Sequence, residues 1–223
     1  MLISEWMSRE VICMELETSM MKASKILKER DIRRLPVVDA ERRILGIVTD
    51  RDIKEASPSK ATTLDVHELY YLLSEIKIKD IMTPNPITIG VNDTVEKAAV
   101  IMLEKKVEGL PVVDDDNKVV GIVTESDIFK VLIAITGVYL GGLQIGLTLS
   151  TEPGSLKQVL DDLRRDGARI ISILTNYDEK GGTRNVYIRM LDMEKSKENA
   201  IREALEAKYE LLYWVRDTVK PLT

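Results

Sequence analysis

The sequence predicts an α/β (α+β) chain in which two βαββα repeats precede a small βαββαβ unit. Residues 7–53 recur at 82–128 with an offset of 75 and no gap, and 17 of the 47 positions are identical. Each copy passes through the same succession of strand-like and helix-like periods. After Gly142 that succession changes to strand, helix, two strands, helix and strand. Two copies of one supersecondary unit bury their apolar faces on each other, and their joint leaves two related clefts where small ligands sit.

The copies open with short strands at residues 11–14 and 87–89. In the second copy, Asp93 followed by Glu96 reads as a capping box for a helix with the apolar stripe Val95, Ala98, Ala99 and Met102. In the first, Thr18 or Ser19 stands before Met20, Ala23, Ile26 and Leu27. Two β-branched runs separated by a polar turn then form a hairpin in each copy, 36–38 with 44–49 and 111–113 with 119–124. A closing helix begins at Asp52 or Asp127. Between the copies Ser57-Pro58-Ser59 breaks the chain. A helix follows from Asp65, with Glu68 three residues on and Leu69, Leu72, Leu73 and Ile76 on one face.

The last third starts with a strand at 143–149 that meets Pro153-Gly154. A helix then turns Leu156, Val159, Leu160 and Leu163 inward and stops at Gly167 as its C′ residue. Strands at 170–176 and 186–191 flank the loop Asp178-Glu179-Lys180-Gly181-Gly182. A helix at 195–208 and a strand at 211–215 complete a ferredoxin-like βαββαβ order. The domain plan is therefore 1–64 and 81–141 for the two repeats, 65–80 for a connecting helix and linker, 142–216 for the small domain, and 217–223 for a tail.

Residues 131–151 carry no charge, about the length of a membrane span. Gly137, Gly141, Gly142 and Gly146 interrupt them, with Thr136, Gln144, Thr148 and Ser150 among them. A buried helix through Ile135, a glycine-rich turn and a strand from Leu143 is the better parse. Met1 to Arg9 show no basic segment followed by an apolar one, so the reading is cytoplasmic with no membrane partner.

Composition narrows the function. The 223 residues are 44% hydrophobic and 31% charged, ordinary for a globular protein. A net charge of −5 argues against binding nucleic acid through its phosphates. One cysteine excludes an internal disulfide, and one histidine, His67, excludes the usual zinc sets. Cys13 lies in an apolar run and reads as a buried, unreactive thiol. Asp114-Asp115-Asp116-Asn117 lacks the glycine and distal glutamate of a calcium loop and reads as a hairpin turn, like Asp39-Ala40-Glu41-Arg42 in the first copy. Asp161 and Asp162 face different directions on one helix and form no acid/base pair. No phosphate-binding glycine-rich loop, nucleophile elbow or metal cluster is present in the sequence.

The constellation that carries chemistry is Gly-Ile-Val-Thr-x-x-Asp-Ile, at Gly46–Ile53 and again at Gly121–Ile128. It sets a hydroxyl at a strand end and a carboxylate at a helix start. A carboxylate can accept from both ribose hydroxyls of a nucleotide, while the hydroxyl and free helix N–H groups can donate to phosphate. The same spacing fits a plain capping box, and spacing alone weighs the two readings evenly. Duplication copies caps as faithfully as sites.

With these signatures, with Met7 and Met82-Thr83 opening the copies and with Leu-Pro-Val-Val-Asp at 35–39 and 110–114, residues 7–141 resemble a tandem pair of CBS domains, a Bateman module. Residues 143–216 resemble an ACT domain through Glu152-Pro153-Gly154-Ser155-Leu156 and the element order. The combination, including Ala56-Ser57-Pro58-Ser59 and Lys77-Ile78-Lys79-Asp80-Ile81-Met82, is similar to the acetoin-utilisation AcuB family. The resemblance implies a non-catalytic regulatory ligand sensor for adenine nucleotides (AMP or ATP) or adenosyl compounds. One cleft would use Thr49 and Asp52, the other Thr124 and Asp127, with Ile12 and Ile87 lining the base. It further implies a homodimer, an unidentified protein target and an amino-acid site at residues 152–156, although Arg169 stands where many amino-acid-binding members carry Asn. The alternative is a small enzyme of acetoin or related carbon metabolism.

Charge separates the copies. Arg33, Arg34, Arg51 and Lys54 surround the first motif, with Glu108, Gly109, Ser126 and Phe129 at the equivalent places of the second. Glu125 joins the second motif, with Lys130 as its nearest cation in sequence. Guanidinium forks suit phosphate and a carboxylate opposes it, so Arg34 and Arg51 mark the first cleft for phosphorylated ligands and the second for less charged ones.

Overall fold

The computed structural model describes residues 1–57, 71, 73–178, 181–216 and 219, in two compact units, Met1–Ile128 and Phe129–Thr223. The helix expected from Asp65, with His67, and part of the loop at 178–182 lie outside the described residues. Leu73 and Ile76, from the end of that helix stripe, pack on the core of the first repeat.

In the first unit, helices α1 (Ile3–Trp6), α2 (Met20–Glu29) and α3 (Asp50–Ala56) accompany strands β1 (Arg34–Val38) and β2 (Ile44–Thr49). The second repeat supplies α4 (Ile78–Ile81), β3 (Thr83–Pro84), β4 (Ile89–Gly90), α5 (Val95–Lys105), β5 (Gly109–Val113), β6 (Val119–Thr124) and α6 (Glu125–Thr136). Both hairpins form as the β-branched runs predict, and each carries a bulge at the same place, Val37/Val38 and Val112/Val113. Their tips meet: Arg43 bridges Lys118, Ile44 N–H donates to Asn117 at 3.1 Å, and Val119 N–H donates to Arg42 at 3.0 Å.

The opening segment of each copy lies first on the other copy's sheet and then on its own. Thr83 and Pro84 pair with Ile47 and Gly46, after which Ile89 and Gly90 run parallel to Val112 and Val113. Reciprocally, Ser8 bridges Ile122 and Met14 bridges Val37. The strand expected at 11–14 is therefore reduced to a single bridge, because those residues are crossing between sheets. The glycine of each Gly-Ile-Val-Thr permits the crossing. A Cβ on Gly46 would lie 2.4 Å from Met82 Sδ, and one on Gly121 2.3 Å from Met7 Sδ. The methionine that opens each copy thus packs on the other copy's glycine.

Met14, Met20, Ala23, Leu27, Leu35, Val37, Val48, Ile53 and Ile78 form the first repeat's core. Each large side chain buried there contributes about 1.5–3 kcal/mol before entropy is counted. Ser19 caps α2, its Oγ accepting from Lys22 N at 3.3 Å. In the second copy the cap differs from expectation. Thr94, not Asp93, is the N-cap, accepting from Lys97 N at 3.2 Å, while Asp93 ties the preceding turn through Gly90 N at 2.9 Å. The closing helices likewise begin two residues before Asp52 and Asp127, with those aspartates in the first turn. Asp39 and Asp114 are occupied in their own hairpin turns, each accepting from two backbone N–H groups.

The second unit comprises β7 (Leu143–Ser150), α7 (Ser155–Arg165), β8 (Ile170–Tyr177), β9 (Thr183–Met190), α8 (Lys195–Glu206) and β10 (Glu210–Arg216). Its antiparallel sheet has the order β10-β7-β9-β8, the ferredoxin-like arrangement. Alternate residues Leu143, Ile145, Leu147 and Leu149 of β7 and Val186, Ile188 and Met190 of β9 meet Val159, Leu163, Ile201 and Leu205 from the helices. Gly167, at φ +74°, closes α7: its N–H donates to Arg164 and that of Ala168 to Leu163, a Schellman pair. The uncharged stretch is part helix, part turn and part strand. Gly142 bends it at φ +89° where a Cβ would meet the Met190 carbonyl. Among the described residues no helix is long and apolar enough to cross a membrane.

Candidate functional site

At the end of β2, Thr49 N–H and Oγ1 both donate to Asp52 Oδ2 at 2.7 Å, and Asp52 N–H returns a bond to Thr49 Oγ1 at 3.3 Å. The second copy repeats this: Thr124 N–H and Oγ1 donate to Asp127 Oδ2 at 3.0 and 2.8 Å. The first motif is therefore a capping box in fact, and the second carries the same two Thr–Asp bonds. The bonds fix each carboxylate beside the strand end, and capping accounts for the spacing without excluding a ligand.

Beside the first cap lies a cavity of about 370 Å³, within the range of small-molecule sites. Thr49, Asp52, Arg34 and Arg51 line it from the first copy, and Ile87 comes from the second. Ile87 arrives because the chain between β3 and β4 passes from one sheet to the other over this place. Thr124 and Asp127 are not part of this cavity, nor is Ile12, which lines a separate one.

The wall also holds residues that no motif in the sequence marks for this place. Asn85, Lys106, Glu108 and Gly109 of the second copy all line the first cleft. The charge of a copy is thus not the charge of a cleft: Glu108 and Gly109, set against the arginines in sequence, share a cavity with them. Only a knowledge of which copy crosses onto which sheet reveals this.

Arg34 is the hinge of that arrangement. Its Nη2 donates to Glu108 Oε2 at 3.0 Å, while a Cβ on Gly109 would lie 1.9 Å from its Nη1. Glycine at position 109 therefore makes room for a guanidinium that position 34 supplies. Burial pushes the Arg34 guanidinium down from its ordinary value, and the charges of Glu108 and Glu125 work against that shift. Glu125 of the second motif thus acts on Arg34 of the first copy. Lys54 is drawn off to Asp50 at 2.6 Å. Among the described residues, Arg33, Arg51 and Lys106 form no ion pair, which leaves three cations at the cavity wall for an anionic group.

Cys13 is half-buried, and burial raises its thiol above the ordinary range against the opposing charge of Arg42. That environment suits an unreactive thiol.

Comparison with known proteins agrees with this architecture. A CBS domain-containing protein of Dictyostelium discoideum is 36% identical over 134 residues, which is 60% of this chain and 92% of that protein. The L-aspartate semialdehyde sulfurtransferase of Methanocaldococcus jannaschii is 35% identical over 129 residues, 58% of this chain but only 23% of the enzyme. Among solved structures, the CBS domain pair of protein MJ0100 in complex with 5′-methylthioadenosine and S-adenosyl-L-methionine superposes with a TM-score of 0.50 at 33% identity, covering 59% of this chain and 99% of that one. A putative acetoin utilization protein (AcuB) from Vibrio cholerae gives 0.52 at 25% identity, covering 62% and 94%. The profile of the CBS domain matches residues 3–59 and 78–134, one copy each, and so half of the sequence. Repeat, crossed sheets and paired Thr–Asp caps therefore have one explanation: the chain belongs to the CBS-domain family and carries its tandem pair.

Proposed function

We propose that this protein is a non-catalytic sensor that binds an adenine nucleotide or adenosyl compound in the Thr49–Asp52 cavity. The observation that carries the reading is the cavity itself, which unites a fixed carboxylate and hydroxyl of one copy with Ile87 of the other. Ile87 offers an apolar surface to the base, and Asp52 is placed to accept from ribose hydroxyls. Arg33, Arg51 and Lys106 favour a ligand with phosphate, so AMP is expected to bind more tightly than adenosine. The bound 5′-methylthioadenosine and S-adenosyl-L-methionine of the MJ0100 pair support the adenosyl class. The likeness to the putative acetoin utilization protein supports a regulatory place in acetoin or related carbon metabolism.

Binding between the copies shifts their packing, and α6, which starts at the Thr124–Asp127 cap and runs on past Ile128, carries the change along the chain. The ferredoxin-like unit, in this reading an ACT domain, is the receiving part, and a homodimer is the expected assembly.

Thermal unfolding with AMP tests the reading. Ligand at about a hundred times its dissociation constant stabilises by about 2.7 kcal/mol. For a chain of this size that is on the order of 5–10 °C in Tm. Asp52→Ala removes the ribose acceptor along with the cap and abolishes most of the shift. Asp127→Ala removes the equivalent cap without touching this cavity, and calorimetry on it retains AMP binding. An Asp52→Ala protein that binds AMP as tightly as the parent would mean that Thr49 and Asp52 are only a cap.

A further inference from the structure

Arg33 and Glu108 hold the same position in the two copies, and both line the cavity beside the first cap. The hairpin that follows forms in the same register behind either one, so it does not dictate the charge at this place. The wall divides into charges that are matched and charges that are not. Glu108 Oε2 accepts from Arg34 Nη2 at 3.0 Å, and Asp50 Oδ2 accepts from Lys54 Nζ at 2.6 Å. Arg33, Arg51 and Lys106 have no such partner among the described residues. Asp52, held by Thr49, is the remaining carboxylate of the wall. Three cations against one carboxylate leave an excess of two positive charges. A phosphomonoester carries about −1.5 to −2 at neutral pH, which that excess matches. A triphosphate brings more negative charge than the wall has cations left to meet.

A fourth cation stands in the wall, and Glu108 occupies it. The Arg34 side chain is 11% exposed, and Glu108 is its one hydrogen-bond partner among the described residues. Nη1 of the same guanidinium is buried with no acceptor. A buried cation that loses the charge of its partner turns to the next anion within reach, and a phosphate in this cavity is such an anion.

We propose that Glu108 sets the length of the phosphate chain this cavity accepts: by neutralising Arg34 it selects a monophosphate over a triphosphate. The inference rests on the phosphate-binding reading of the Thr49–Asp52 cavity. It adds to that reading a choice between AMP and ATP, which Arg33, Arg51 and Lys106 do not make by themselves. The Glu108 side chain is 54% exposed, so water and salt screen part of its charge and the selection is graded rather than absolute.

Calorimetry of the full chain with AMP and ATP, without divalent cations, tests this on the parent, Glu108→Gln, Arg34→Gln and the double variant. Gln at 108 keeps an oxygen for Arg34 while removing the charge, and a circular dichroism melt checks the fold of each protein. The parent is expected to bind AMP more tightly than ATP. In Glu108→Gln that preference falls by roughly three- to tenfold, the range left to a partly screened charge. Arg34→Gln leaves Glu108 unmatched and raises the preference, and the double variant, with the net charge of the parent, returns close to it. A mere loss of packing moves both single variants the same way, so opposite shifts are the mark of charge selection. ATP binding the parent more tightly than AMP, a ratio unchanged in Glu108→Gln, or shifts of one direction in both single variants overturns the proposal. If the parent binds neither nucleotide, the adenine reading fails, and orthophosphate against tripolyphosphate decides the role of Glu108. A preference for orthophosphate that Glu108→Gln lifts upholds that role; binding of neither anion, or no change in the variant, overturns it.

Discussion

Arg34 and Gly109 occupy equivalent places in the two copies, yet they meet in the structure. Divergence at that one position let a guanidinium lie where a side chain would otherwise stand, and its bond to Glu108 ties the copies at the cavity wall. Single residues govern the second unit as well. Tyr209 donates to Asp162 Oδ2 at 2.9 Å, and Lys208 reaches the same oxygen at 3.0 Å. Burial, followed by the bond and charge of Asp162, pushes the Tyr209 phenol up to about 12. A raised value means the folded state favours the protonated phenol. That stability is complete below the ordinary value near 10 and is lost as pH climbs through about 12. Spectrophotometric titration is expected to find a phenol that ionises late, and Tyr209→Phe to remove that step together with the matching alkaline loss of stability. An unchanged titration in Tyr209→Phe would disprove the assignment.

At the scale of the element, the caps decide where helices begin. Asp93 and Glu96 spell a capping box in sequence, yet α5 takes Thr94 as its cap because Asp93 is already engaged with Gly90 N–H and Lys97. The two assignments differ in consequence. Thr94→Ala is expected to cost about 1 kcal/mol by leaving the Lys97 N–H without its partner. Denaturant unfolding measures this, and no loss of stability in Thr94→Ala would return the cap to Asp93. The opening segments teach the same lesson. Residues 11–14 have the composition of a strand and become a crossing, since a ladder needs a neighbour along its whole length and these residues are leaving one sheet for another.

At the scale of the molecule, β10 and β8 are the two ends of the second unit's strand order and have no further strand beside them among the described residues. Ile170, Ile173, Leu212, Tyr213 and Val215 on those strands are exposed. Exposed apolar edges seek cover, and a second copy of the chain is the cover expected here. Light scattering at micromolar concentration is expected to give about twice the 25.2 kDa chain mass. A mass equal to one chain would dismiss the dimer.

The sequence by itself determined the repeat, the element types and the two Thr–Asp pairs, because those are local. A hairpin of β-branched runs, a stripe at helical spacing and a cap three residues from its partner are all closed within a few residues. It also carried the split of the uncharged stretch, since glycines at 137, 141 and 142 break a helix wherever they fall. What it did not carry was the pairing between copies. Whether Ile87 or Ile12 faces Thr49, and whether Glu108 opposes or accompanies Arg34, depends on sheets that exchange their first strands over about seventy-five residues. Lys106 and Asn85 carry no mark of a site in their own neighbourhood. Only the tertiary structure brings them to the cavity, because a cleft between two copies belongs to neither sequence alone.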